Sequence, residues 1–267
     1  MDRRKFVKSS LLSGAVYSGV AAFKNPEIFM ENGSPKKQQW YEWRTYIFAD
    51  DAQRQLTGTY LEQAYLPALN RAGISPIGVF AEWQPQAMGK MFVLIPFDSI
   101  ASFAAINEKL VRDAAYMKAG EAYLSAQPAS PSYQRIESSL LKAFAHMPVI
   151  EVPEKKQRLL ELRCYESPSE SAGQKKIEMF NEAGEIDIFK KVGARPVFFG
   201  ETIIGERRPN LTYMLCFDDM QAHDTHWKAF GGDTEWKKIS TMPEYSDARL
   251  ISKITRTFLT PTGYSQV

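Results

Sequence analysis

Two short stretches alternate bulky apolar and polar residues with the period of a half-buried strand. They are Tyr41-Glu42-Trp43-Arg44-Thr45-Tyr46 and Leu160-Glu161-Leu162-Arg163-Cys164-Tyr165, 119 positions apart (41 to 160). One face of each carries Tyr41, Trp43 and Thr45, or Leu160, Leu162 and Cys164. The other carries Glu, Arg and Tyr in both copies.

After a strand over 40–48, the first copy continues into a helix over 56–72. Leu61, Ala64, Tyr65, Ala68 and Leu69 share one face of it, and Gly73 is placed to end it. Strands follow at 77–83 and 90–96. Helices are predicted over 99–110, capped by Asp98, and 112–125, with a fourth strand inside 133–145. The second copy repeats the order. It has a strand over 159–165, a helix over 173–192 ended by Gly193, strands over 196–202 and 211–217, a helix over 220–230 capped by Asp218, a short helix opened by Asp233, and a strand inside 249–259. Gly73 and Gly193, Pro76 and Pro196, Phe97 and Phe217, Asp98 and Asp218, Asp113 and Asp233, and Tyr116 and Trp236 each lie 120 apart (73 to 193, for example). A constant offset over such a span is the mark of internal duplication.

Each unit reads βαββαβ, the ferredoxin-like order. Helices cover one face of such a sheet, and the other face must be buried on something. With two units in one chain, sheet against sheet is the economical solution. The expected fold class is α+β: two tandem ferredoxin-like units, residues 40–147 and 157–260, packed sheet against sheet as an intramolecular pseudo-dimer around a shared interior.

Ahead of them, Met1-Asp2-Arg3-Arg4-Lys5-Phe6-Val7-Lys8 precedes a weakly apolar, Gly/Ser-diluted segment. The order Arg-Arg-x-Phe-x-Lys resembles a twin-arginine export signal. Residues 1–25 are read as that signal and 26–39 as a linker, which places the mature chain in the periplasm or outside the cell, with no membrane span of its own.

Composition adds exclusions. Of 267 residues, 33 are basic and 31 acidic, for a net charge of +2. That balance gives no reason to expect a nucleic-acid partner. Cys164 and Cys216 fall in predicted strands and read as small buried hydrophobes, with a disulfide open if the compartment is oxidising. The chain has no CxxC, GxSxG, P-loop or dinucleotide glycine fingerprint.

The strand at 160–165 combines with Lys191-x-Gly193, Asp218-Asp219-Met220, Trp227-x-x-Phe230 and Asp233-x-Glu235-Trp236. Together they resemble NIPSNAP domains over 157–260. Residues 40–145 resemble them through Trp43-Arg44-Thr45-Tyr46 and the shared offsets, without the Trp-x-x-Phe element. The resemblance implies a dimeric α/β-barrel type of fold and transfers no catalytic residue.

Candidate chemistry lies first on the polar strand faces. If the apolar faces meet the helices, Glu42, Arg44, Tyr46, Glu161, Arg163 and Tyr165 line the interior between the sheets. They then form either a structural Arg–Glu pair in each unit or a cleft that binds an anion or carbonyl. His223, His226 and Trp227 share a helix surface. A metal there would need a third ligand such as Glu201, no HExxH context accompanies the histidines, and a surface or packing role outweighs metal binding. Asp233 and Glu235 read as a helix start, and Arg207-Arg208 as solvated charge in a turn. The leading expectation is an exported protein that binds a small molecule or a partner between the sheets. The alternative is a cofactor-free monooxygenase- or isomerase-like enzyme using Arg163, Tyr165 and one histidine. No cofactor is assigned, and a homodimer is left open.

Overall fold

The computed structural model describes residues 37–85 and 87–267. The expected export signal and most of the linker lie outside the described residues. Eight strands close into one barrel: β1 (Trp40–Ile47), β2 (Gly78–Glu82), β3 (Met91–Phe97), β4 (Arg135–Ala143), β5 (Leu159–Glu166), β6 (Arg195–Ile204), β7 (Asn210–Phe217) and β8 (Lys253–Pro261). Their order around the barrel is β1-β3-β2-β8-β5-β7-β6-β4, and every neighbouring pair is antiparallel. Each half of the chain supplies four adjacent strands, β4-β1-β3-β2 and β8-β5-β7-β6. The halves meet along β2·β8 and β4·β6. Closure pairs the strands that would otherwise be edges.

Helices wrap the outside. In the first half, α1 (Asp51–Tyr60) runs through a π-helical stretch, Leu61–Tyr65, into α2 (Leu66–Arg71), followed by α3 (Ile100–Val111), α4 (Ala114–Ala119) and α5 (Glu121–Leu124). The second half has α6 (Glu170–Asn181), α7 (Glu185–Lys191), α8 (Met220–Gly232), α9 (Thr234–Ser240) and α10 (Asp247–Leu250). The single helix expected over 173–192 is two, α6 and α7, because Gly184 between them takes a left-handed φ of 89°. Two expected caps are also corrected. Ser99, not Asp98, caps α3, because it exchanges hydrogen bonds with Ser102 in a capping box. Asp219, not Asp218, caps α8, and Asp218 instead pairs with Arg195 at 2.7 Å and Lys156 at 3.0 Å. Matching caps occur in the two halves: Asp113 accepts from the Tyr116 N–H and Asp233 from the Trp236 N–H, at 3.0 and 3.1 Å. Among the described residues, no helix is long and apolar enough to cross a membrane.

The core has three parts. Two lie between the helices and the barrel wall, one per half. The third fills the barrel with Tyr41, Trp43, Phe80, Leu94, Leu160, Leu162, Phe198 and Met214, among others. This reverses the expected orientation of the strands. The apolar faces of β1 and β5 point into the barrel, and Glu42, Arg44, Tyr46, Glu161, Arg163 and Tyr165 lie under the helices. The reason is solvation. The middle of a closed barrel has no water for a charge, and an uncompensated charge there is costly. Beneath the helices, each Glu and Arg can pair and lie against aromatic rings. Arg44 sits 5.1 Å over Tyr65 and Arg163 4.4 Å over Trp227.

Because both halves build one interior, they should unfold together. Phe198 is fully buried and meets Tyr41 edge-on at 5.4 Å and Trp43 at 6.1 Å. Phe198→Ala should cost about 3–5 kcal/mol. Urea unfolding followed by tryptophan fluorescence and by far-UV circular dichroism should show one coincident transition. Two separate transitions would mean that the halves fold independently.

Candidate functional site

A cavity of about 440 Å³ opens at the end of the barrel where β1 and β5 finish. All eight strands contribute to it. Its floor is apolar: Trp43, Phe92, Leu141 and Leu162. Above the floor stands a collar of small polar groups, namely Thr45, Ser139, Cys164, Thr202, Thr212, Thr255 and Thr257, with Asn210. The alternation in β1 and β5 explains this layering. Inward positions run Tyr41, Trp43, Thr45 and Leu160, Leu162, Cys164, so each inward face turns from apolar to polar at the mouth.

Strand register shows that the two halves do not line the cavity equally. Thr45 lies opposite Phe92 on β3 and Glu137 on β4. Its counterpart Cys164 lies opposite Thr212 on β7 and Thr255 on β8. The first half thus contributes rings and a carboxylate where the second contributes hydroxyls and a thiol. Trp43 is stacked on Phe92 at 5.6 Å and Phe80 at 6.2 Å, which holds its indole as a rigid wall. The β2–β3 and β6–β7 hairpins flank the mouth. Among the described residues, they hold the non-glycine positions with left-handed backbone, Gln84 (φ 50°) and Arg207 (φ 59°). Backbone of this kind is costly outside glycine and tends to gather at binding sites. The side chain of Arg207, expected as plain solvated charge, stands at the cavity rim.

Cys164 and Cys216 are free thiols, so no disulfide links them. Burial pushes both thiols above their ordinary value. Cys164 lines the cavity, whereas Cys216 is fully buried in the barrel core.

The sequence candidates lie elsewhere. Glu161 has no exposed surface and is the hub of a network under α8. Its carboxylate accepts from Arg163 Nη1 at 3.0 Å and from Trp227 Nε1 at 2.8 Å, and His223 Nε2 lies 3.3 Å away. Arg163 Nε donates to the Tyr165 hydroxyl at 3.2 Å, and that hydroxyl bonds Tyr213 at 2.9 Å. Burial opposes the Arg163 charge, but Tyr213, Tyr165 and Glu161 outweigh it and hold the guanidinium above its usual range. Burial likewise pushes the Tyr165 and Tyr213 hydroxyls up.

In the first half, Arg44 grips Glu42 with two hydrogen bonds of 2.6 and 3.0 Å, and Ser138 donates to the same carboxylate at 2.7 Å. Tyr46 is buried in the neighbouring aromatic cluster. Glu201 is not beside the histidines. It accepts from Gln174 at 2.7 Å, and the carboxylate next to His223 is Glu161. His226 packs its ring on the backbone of Gly193. Among the described residues, no group of three or more His, Cys, Asp or Glu side chains is arranged to hold a metal.

The structure thus gathers Glu161, Arg163, Tyr165, His223 and Trp227 in one place and Glu42, Arg44 and Tyr46 in another. It leaves Glu201 and His226 apart, and none of these candidates lines the barrel cavity. The residues that do, Thr45, Glu137, Cys164 and Thr212 above all, were signalled only by the polar end of an otherwise apolar strand face.

Two outcomes follow. Iodoacetamide should alkylate Cys164 but not Cys216 in the native protein, at a rate that is slow near neutrality and climbs with pH because burial raises the thiol; peptide mass mapping reads this. Glu161→Gln strips the buried Arg163 of its charge partner. It should lower stability by about 3 kcal/mol in urea titrations while leaving the Cys164 alkylation rate unchanged.

Comparison with known proteins fits this architecture. The NIPSNAP family model matches residues 160–266, so the second half carries a NIPSNAP domain. No curated protein matches the sequence. Among solved structures, a candidate monooxygenase from Fusobacterium nucleatum shares the fold with a TM-score of 0.55 at 8% identity, covering 84% of this chain and 93% of its own. Another candidate monooxygenase, from Lactobacillus acidophilus, does so with a TM-score of 0.55 at 10% identity, covering 84% and 94%. An anthrone oxidase-like protein aligns with a TM-score of 0.52 at 10% identity, covering 86% and 93%. At such identities the likeness is one of fold: a mixed α/β protein built on a closed antiparallel barrel.

Proposed function

We propose that the protein binds a small, flat, partly polar molecule at the barrel mouth, in the space between the two four-stranded sheets. The observation that carries this reading is the cavity itself. It is large enough for a compact ligand, it has an aromatic and aliphatic floor, and convergent hydroxyls stand above that floor. Its two-sided lining suits a ligand with one ring face and one oxygen-bearing edge. The strand order of each half supports two fused ferredoxin-like units, 40–147 and 157–260, as the origin of the barrel. Since the barrel is closed within one chain, a homodimer would form through the outer surface.

The enzyme alternative is not favoured by the geometry. Arg163 and Tyr165 bond each other beneath the helices and not in the cavity. The names of the structural neighbours make oxidation of a bound ring the reaction to assay if turnover is found. On the same reading residues 1–25 direct twin-arginine export, supported by Arg3-Arg4-Lys5-Phe6 ahead of the diluted apolar segment.

Native mass spectrometry of protein recovered from its own host's periplasm tests both halves of the reading. The expected result is a chain shortened near residue 25 that carries a small-molecule adduct. Ser139→Phe, which fills the cavity from β4, should abolish the adduct and leave the fold intact by circular dichroism. An adduct that survives this substitution would place the binding site elsewhere.

A further inference from the structure

One carboxylate inside the cavity has no partner. Glu137 lies on the inward face of β4, directly opposite Thr45, and is half-buried at the cavity wall. Among the described residues, no cation lies within 4 Å of it and no hydrogen bond reaches its carboxylate. Its own strand makes the contrast plain, because Ser138, one residue on, faces out and hydrogen-bonds Glu42.

The barrel wall does not need a charge there. The counterpart position in the second half, opposite Cys164, is the neutral Thr255. The other charges at the mouth sit differently. Lys90, Arg135, Arg207 and Glu206 are exposed, and Glu82 accepts a hydrogen bond from the Lys90 backbone. Exposed rim charges are hydrated and screened by salt. A half-buried carboxylate without a partner has lost part of its hydration and gained nothing in exchange.

The floor beside this carboxylate supplies apolar contact and no charge, because the Trp43 indole is stacked on Phe92 and Phe80. A carboxylate one register step from such a floor on the adjoining strand selects positive charge on a molecule that also carries a ring. An anion would meet Glu137, and a neutral ring would leave it unpaired. We propose that the cavity selects an aromatic amine in its protonated form, with the ring on the Trp43–Phe92 floor and the ammonium bound by Glu137. This rests on the reading of the cavity as a binding site.

The test is a matched series on the full chain by isothermal titration calorimetry: 2-naphthylmethylammonium, 2-naphthalenemethanol and 2-naphthoate. The ammonium should bind tightest and the carboxylate weakest. Glu137→Gln keeps the shape and removes the charge. It should weaken the ammonium about tenfold or more, while changing the alcohol by no more than about twofold. If the alcohol binds and the ammonium gains nothing over it, or if Glu137→Gln leaves the ammonium unchanged, the assignment of Glu137 is overturned and the cavity reading stands. If the three bind equally well to Ser139→Phe, their site is not this cavity and both readings fall. The charge order in the wild-type protein decides the matter even if Glu137→Gln fails to fold.

Discussion

Closure of the sheet on itself is the constraint from which the rest follows. Eight antiparallel strands without a free edge leave an interior that one face of each strand must fill. Tyr41, Trp43, Leu160, Leu162, Phe198 and Met214 fill it because they can be buried there without leaving a charge unhydrated. That choice sends every outward residue of β1 and β5 to the helices, and with them the two Glu–Arg pairs. Neither half could bury its inward face alone, because the inward faces of both fill one interior.

The Glu–Arg pairs are tolerated because each is almost fully satisfied. Glu42 receives both prongs of Arg44 and the Ser138 hydroxyl. Glu161 receives Arg163 and the Trp227 indole, and the Tyr165–Tyr213 bond extends the network beneath the helices. Networks closed in this way fix the helices on the barrel and leave little donor capacity for a ligand. The same accounting, applied to the mouth, leaves Thr hydroxyls and the Glu137 carboxylate with capacity to spare. The contrast between satisfied and unsatisfied polar groups separates scaffold from site here better than residue type does.

The two halves of the barrel wall differ at the mouth, and that difference makes the cavity two-sided. Thr45 and Cys164 occupy matching positions, yet their neighbours are Phe92 and Glu137 in one half and Thr212 and Thr255 in the other. A symmetric barrel would present the same wall twice. This one presents rings and a charge against hydroxyls, an asymmetry that would give a bound molecule one preferred orientation.

The sequence by itself determined the repeat, the strand and helix order, and the left-handed glycines Gly73 and Gly193, because period, offset and backbone freedom are local properties. It also determined that Glu161, Arg163 and Tyr165 share a face. Which way that face points was not local. Alternation says that two faces differ, and only the closed barrel decides which of them meets water-free packing and which meets the helices. The cap at Asp219 in place of Asp218 and the break at Gly184 were settled by the same tertiary fit. The cavity was least legible of all. Its lining comes from all eight strands, spread over more than 200 positions from Trp43 to Thr257. No window of sequence contains it, and it exists only because the strands are brought into register around one axis.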